Sequence, residues 1–208
     1  MKDRYSVLAE AAGQLGSPQI RNIATLGGNL CNASPAAGMA PPLMVLTAKA
    51  ISIDRKGQKS ILIDDLFKGP AENSLSHEEI LIQIEVPPLP DRSGAVYLKF
   101  GPRMAMDIAI IGVAIFVELD PERQSFHEIR IALGAVAPTP IRARKTEEFL
   151  KGKALKDSLI ERAGYLASQE ASPISDLRGS ASYRREIVRI LTVRGLQLAL
   201  RKTGRFSP

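Results

Sequence analysis

The sequence predicts an α+β fold in two parts: a partial α/β subdomain over residues 1–90, and a domain of three-stranded antiparallel sheet plus helices over residues 91–208. Segments with an apolar residue every three or four positions predict helices, and segments in which every second residue is apolar predict strands. Residues 87–94 are rich in proline and end in glycine, as linkers often do, so we place the domain boundary there.

The first part opens with two predicted helices. The apolar face of the first, over residues 3–15, consists of Tyr5, Leu8, Ala9, Ala12 and Leu15. A turn and loop around adjacent glycines should follow. Residues 36–48 are rich in alanine and leucine and predict the second helix.

Strands complete the first part. Residues 50–54 and 60–63 alternate on either side of a polar turn and predict a hairpin. Residues 80–86 predict a further strand, because their isoleucines and valine fall on one parity.

The second part predicts a meander followed by helices. Its strands are expected over residues 95–100, 108–119 and 128–133. Its helices are expected over residues 145–150, 155–170 and 181–201.

Composition excludes several classes of function. The net charge is +6, but aromatic residues make up only 5% and tryptophan is absent, which argues against a nucleic-acid platform of stacked rings. The positive charge is densest in the last third and indicates either a solvated helix face or a partner surface. One cysteine, Cys31, and two histidines supply too few ligands for an iron–sulfur or structural zinc site, so we expect no bound metal.

An expected compartment also follows from composition. The first residues lack the apolar core of a signal peptide, and no apolar run reaches membrane-spanning length. A single cysteine fits a reducing environment. We therefore expect a cytoplasmic protein without membrane insertion.

Adjacent glycines at positions 27 and 28 are the most informative local feature. Thr25 and Asn29 flank them, and the lack of Cβ atoms would let a phosphate or sugar approach the backbone N–H groups. A tight turn or a strand bulge that needs glycine is the alternative interpretation. The usual dinucleotide fingerprint, the Walker loop and the Gly-x-Ser-x-Gly elbow are all absent, and acid–base groups are sparse. A cofactor is therefore expected to supply the chemistry, and we assign no catalytic residue.

Taken together, these segments resemble a known family. Residues 19–35 contain Thr-x-Gly-Gly-Asn and Ala-Ser-Pro, residues 78–81 and 97–100 follow in the family's order, and residues 171–185 read ASPISDLRGSASYRR. The chain is similar to the FAD-binding medium subunit of the molybdenum hydroxylases, the group of xanthine dehydrogenase and aerobic carbon monoxide dehydrogenase. The resemblance covers essentially the whole chain.

The resemblance implies a cofactor, a set of binding residues and partners. FAD would be held by Thr25, Leu26, Gly27, Gly28, Asn29, Leu81, Lys99 and Asp107. A small subunit would hold two [2Fe-2S] clusters and a large subunit the molybdopterin, and electrons would pass through FAD to NAD, a quinone or another acceptor. The alternative is a truncated, cofactor-free module that serves structure or subunit interaction.

For three of these residues, physical chemistry alone also allows a role other than FAD binding. Lys99 could meet a phosphate or a reduced flavin, or could be an edge lysine that deters aggregation. Leu81 could equally belong to the core, and Asp107 could cap a loop.

Two departures from the family's pattern matter. Gly38 stands where relatives usually carry an aspartate that contacts the flavin nucleotide, so only backbone is available there. The family's first subdomain, with its own glycine-rich loop, is also missing, and we expect a separate chain to supply it if the protein is not truncated.

Overall fold

The computed structural model describes residues 5–101, 108–120, 122 and 125–205. Helices and antiparallel strands both contribute, which confirms the α+β class. The first helices are α1 (Ser6–Gly13), α2 (Pro18–Ile23), α3 (Leu26–Cys31) and α4 (Ala40–Val45). The first strands are β1 (Lys49–Asp54), β2 (Gly57–Leu62), β3 (Phe67–Gly69), β4 (Glu72–Asn73) and β5 (Ile80–Glu85).

The glycine-pair segment is helical, so the predicted turn and loop is wrong. Ser17 and Thr25 are each the N-cap of a helix: their hydroxyls accept hydrogen bonds from the backbone N–H of Ile20 and Gly28. Such caps satisfy N–H groups that have no acceptor in the first turn. Serine and threonine are frequent N-cap residues, so the sequence contains a signal for both caps. The adjacent glycines obscure that signal, because glycine disfavours helix interiors.

The helix predicted over residues 36–48 is shorter than expected. It begins at Ala40, with prolines in its first turn, and ends at Val45. Thr47 then takes a left-handed φ of 52°, which prevents the helix from continuing. Every residue of α4 is buried, so this short helix lies in the protein core.

The predicted hairpin is confirmed as β1 and β2, and β5 pairs with the other edge of β1. A register shift between Ile51 and Ser52 changes which side chains of β5 face inward. Ile80 is therefore 68% exposed and Ile82 47% exposed, whereas their neighbour Leu81 is partly buried. Parity alone could not reveal this bulge.

The second part contains the predicted meander and helices. Its strands are β6 (Ser93–Phe100), β7 (Ile111–Leu119), β8 (Phe126–Gly134) and the two-residue edge strand β9 (Ile141–Arg142). They pair antiparallel in chain order. Its helices are α5 (Arg144–Leu150), α6 (Asp157–Glu170) and α7 (Ala181–Leu200), which end close to the predicted positions.

The large sheet is covered on both faces. From β7, Ala114 and Phe116 join the buried cluster that contains α4, whereas Val113 and Ile115 join the cluster that contains α6 and α7. All of these side chains are fully buried. The two parts of the chain therefore share one sheet rather than possessing two independent cores.

A buried ionic network connects the two parts at the β9 edge. Nε and Nη2 of Arg142 donate to the Glu147 carboxylate at 2.6 and 2.9 Å, and Nη1 lies 3.4 Å from Asp64. The Arg142 side chain is only 6% exposed. Burial raises the pKa of Asp64, and the guanidiniums of Arg142 and Arg144 oppose that rise. The adjacent carboxylates Asp64 and Asp65 predict from the sequence a position that faces water, and this pairing corrects that prediction for Asp64.

We predict that Arg142→Leu lowers the free energy of unfolding by about 3–5 kcal/mol, because it leaves the Glu147 carboxylate buried without its partner. Arg144→Ala is the matched control: its side chain is 64% exposed, and we expect a loss below about 1 kcal/mol. Urea unfolding followed by circular dichroism measures both. Equal losses of unfolding free energy in the two variants would contradict the assignment of Arg142 as the buried partner of Glu147.

Candidate functional site

A groove of about 560 Å³ lies where the end of α1, the start of α3, residues 34–38 and the end of β6 converge. We call it the central groove. Its wall is mainly apolar and includes Leu15, Ile20 and Ile23. Four of the residues predicted to bind a cofactor line it: Thr25, Gly28, Asn29 and Lys99.

The start of α3 contributes backbone to this groove. The Gly28 N–H donates to Thr25 Oγ1 at 2.9 Å and closes the first turn. A Cβ on Gly28 would also lie 2.9 Å from Thr25 Oγ1, closer than such atoms normally approach. Glycine is thus required here by the cap itself, and the backbone of α3 remains open to the groove.

Asn29 and Lys99 are held by bonds within the protein. Asn29 Oδ1 accepts from the N–H of Met39 at 3.2 Å, which joins α3 to the segment that ends the groove. Lys99 Nζ donates to the carbonyl of Gln14 at 2.8 Å and so connects β6 to the end of α1. Both side chains therefore fix the groove's walls in position.

The other predicted residues lie elsewhere. Gly27 and Leu81 line a second, lateral groove of about 750 Å³, and Leu81 Cδ2 would lie 3.6 Å from a Cβ on Gly27. Leu26 is 37% exposed on the surface of α3. Asp107 lies outside the described residues.

The same lateral groove contains Cys31, the only cysteine in the chain. Burial raises the pKa of its thiol, which keeps the sulfur protonated and unreactive at neutral pH. In the described part of the chain, histidine, cysteine and carboxylate side chains form no cluster that could hold a metal ion.

Comparison with known families shows to which family the chain belongs. A family model described as the FAD binding domain in molybdopterin dehydrogenase matches residues 1–89, and one described as the CO dehydrogenase flavoprotein C-terminal domain matches residues 96–199. The chain belongs to the flavoprotein subunits of the molybdopterin dehydrogenases. The family inferred from the sequence is thereby confirmed, and FAD is the cofactor of that family.

Individual relatives agree with this membership. The chain is 34% identical over 198 residues to the putative xanthine dehydrogenase FAD-binding subunit of Escherichia coli, covering 95% of this chain and 67% of the relative. It is 36% identical over 197 residues to the glyceraldehyde dehydrogenase medium chain of Sulfolobus acidocaldarius, covering 95% and 69%. These relatives are oxidoreductase subunits, and the chain spans about two thirds of their length.

Solved structures give the same result. A chain of carbon monoxide dehydrogenase from Hydrogenophaga pseudoflava superposes with a TM-score of 0.92 at 29% identity, over 97% of this chain and 69% of the other.

Among the described residues of the flavoprotein subunit, no helix is long and apolar enough to cross a membrane.

Tyr97 is a residue of the groove that sequence reasoning missed. Tyr97 has the same parity as Lys99 on β6, lines the central groove and is 4% exposed. Burial raises the pKa of its hydroxyl to about 12. Parity with Lys99 was the available signal, but Tyr97 stands among apolar neighbours that suggest an ordinary core position.

The late arginines hold the segment before α7. Asp176 accepts hydrogen bonds from Arg178 and from the buried Arg184, and the two guanidiniums lower the pKa of its carboxyl. Arg184 is 2% exposed. Arg178 and Arg184 thus join the segment before α7 to the start of that helix and stabilise the second part of the flavoprotein subunit.

We predict that Thr25→Ala destabilises the protein by about 1 kcal/mol, because the first turn of α3 loses its cap. Thr25→Ser, which keeps the hydroxyl, should retain most of that stability. Urea unfolding without any ligand measures the difference, and equal stability of the two variants would refute a capping role for Thr25.

Proposed function

We propose that this chain binds FAD in the central groove and acts as the flavin subunit of a molybdenum hydroxylase, passing electrons from iron–sulfur clusters to an acceptor. One observation carries the proposal. Thr25, Gly28 and Asn29 at the start of α3 and Lys99 of β6, which is far from them in the sequence, line a single groove.

The groove's chemistry fits a flavin nucleotide. Its volume of about 560 Å³ lies within the usual range of cofactor sites, about 300–1,000 Å³. In the first turn of α3 the N–H of Gly28 donates to Thr25, which leaves the N–H groups of Leu26 and Gly27 for phosphate or sugar oxygens. The aliphatic side chains of Leu15, Ile20 and Ile23 suit a flat aromatic ring. Bound FAD supplies one-electron and two-electron transfer.

The chain's own residues would orient the nucleotide. Gly28 lets it approach the backbone, Asn29 holds the α3 turn against residue 39, and Lys99 keeps the end of α1 beside β6. We propose that Gly27 and Leu81 extend the binding surface into the lateral groove, with Leu26 beside them. Asp107 is retained as a proposed contact from the sequence alone.

We also propose the assembly in which the chain works. Its relatives are named as FAD-binding subunits and medium chains, which supports an iron–sulfur small subunit and a molybdopterin large subunit as partners. We propose a cytoplasmic location as well, because a single cysteine precludes an intrachain disulfide.

A cofactor-free interaction module is the second candidate function. One observation favours it: Thr25, Asn29 and Lys99 already form hydrogen bonds within the chain. Under this hypothesis their role would be structural, and the groove would bind no flavin.

Titration of the purified chain with FAD, followed by the quenching of flavin fluorescence, separates the two functions. We expect the wild-type chain to bind FAD and Gly28→Asp to abolish binding. The new Cβ would disrupt the Thr25 cap, and its carboxylate would repel the cofactor's phosphates.

The control for this experiment is Gly13→Asp. A Cβ on Gly13 would meet no atom within 4 Å, so this variant introduces the same charge without a clash. It should bind FAD as the wild type does. A wild-type chain that quenches no flavin fluorescence would overturn the proposed function in favour of the interaction module.

A further inference from the structure

The hydroxyl of Tyr97 stands in a slot between two glycines at the central groove. A Cβ on Gly112 would lie 2.7 Å from this hydroxyl oxygen, and a Cβ on Gly38 would lie 3.8 Å from it. Gly112 faces Lys99 across the β6–β7 ladder, so its missing side chain makes room for the neighbouring Tyr97 ring. Gly38 and Tyr97 both line the groove.

The strand fixes the position of this tyrosine. Tyr97 pairs with Ala114 of β7, whose small side chain leaves space on the same face of the sheet. Its backbone N–H lies 3.4 Å from a carboxylate oxygen of Glu10 on α1. The phenol ring is thus held by the sheet and by α1, the same elements that form the groove.

The hydroxyl itself has no hydrogen-bond partner in the described part of the chain. Burial raises its pKa to about 12, so it remains a neutral donor across the physiological pH range. The hydroxyl oxygen remains accessible from the central groove and is not sealed in the core. An acceptor atom placed in the groove can therefore receive its hydrogen bond.

We propose that Tyr97 is a cofactor-binding residue whose hydroxyl donates a hydrogen bond to an acceptor oxygen of the nucleotide held in the central groove. This inference rests on the proposed function, and FAD is its ligand. Lys99 and the α3 backbone bring opposite charge and donors to the nucleotide, whereas Tyr97 adds one neutral donor from the floor of the groove.

The first test compares Tyr97→Phe with the wild type by FAD titration. Removal of one hydrogen bond is expected to raise the dissociation constant about 3- to 10-fold. Tyr165→Phe is the matched control: Tyr165 is 46% exposed on α6, and its loss of a hydroxyl should leave the dissociation constant unchanged. Far-ultraviolet circular dichroism establishes that each variant is folded.

A second variant acts on the same hydroxyl without removing it. Gly112→Ala places a methyl group against the hydroxyl oxygen and should displace the phenol. We expect it to weaken FAD binding when position 97 is tyrosine and to have little effect when position 97 is phenylalanine. Such non-additivity is typical of residues that act together. Gly112→Ala alone carries the test if Tyr97→Phe does not fold.

The outcomes separate this inference from the proposed function. A wild-type chain that binds FAD, with unchanged affinity in both Tyr97→Phe and Gly112→Ala, overturns the role of Tyr97 alone. A wild-type chain that binds no FAD overturns the proposed function and this inference with it. Weakened binding in both variants, without additivity, supports the assignment.

Discussion

Burial of the large sheet on both faces is the constraint on which the rest of the structure depends. Along β7, alternate residues serve different cores: Phe116 packs beneath α4, and Ile115 packs beneath α7. A one-residue slip of this strand would exchange the two faces and disrupt both cores at once. The register of the sheet therefore fixes how the first part of the chain lies on the second.

The central groove inherits its shape from that register. Tyr97 and Lys99 lie two residues apart on β6, and both point to the side occupied by α1. Lys202, which follows α7, donates to Glu10 of α1 at 2.5 Å and to the carbonyl of Ala95 at 3.2 Å. The C-terminal helix region thus secures the groove wall, although it contributes no residue to the groove.

The sequence predicted the parts of the fold that depend on local periodicity. Apolar residues recur at every second position in the strands β6, β7 and β8. They recur every three or four positions in the long helices α6 and α7. Long-range effects were not predictable. Asp64 was expected to face water, yet it pairs with Arg142, 78 positions along the chain. The exposure of Ile80 depends on a bulge at Ile82 in its own strand, β5, which the alternation of apolar residues does not reveal. The division near residue 90 stays a prediction, because the shared sheet joins the two parts.

Prediction of the functional site from the sequence is limited in the same way. The resemblance to a family identified Thr25, Asn29 and Lys99, but it could not say that each is bonded within the protein. Side chains fixed in this way cost little to reorganise when a ligand arrives, since their rotamers are already set. The groups left to meet a ligand are then the N–H groups of Leu26 and Gly27, the Tyr97 hydroxyl and the ammonium of Lys99, which can donate to Gln14 and still attract a phosphate. Comparison of motifs weighs residue types, so the cap between Thr25 and Gly28 and the slot at Gly112 become visible only when distances between atoms are known.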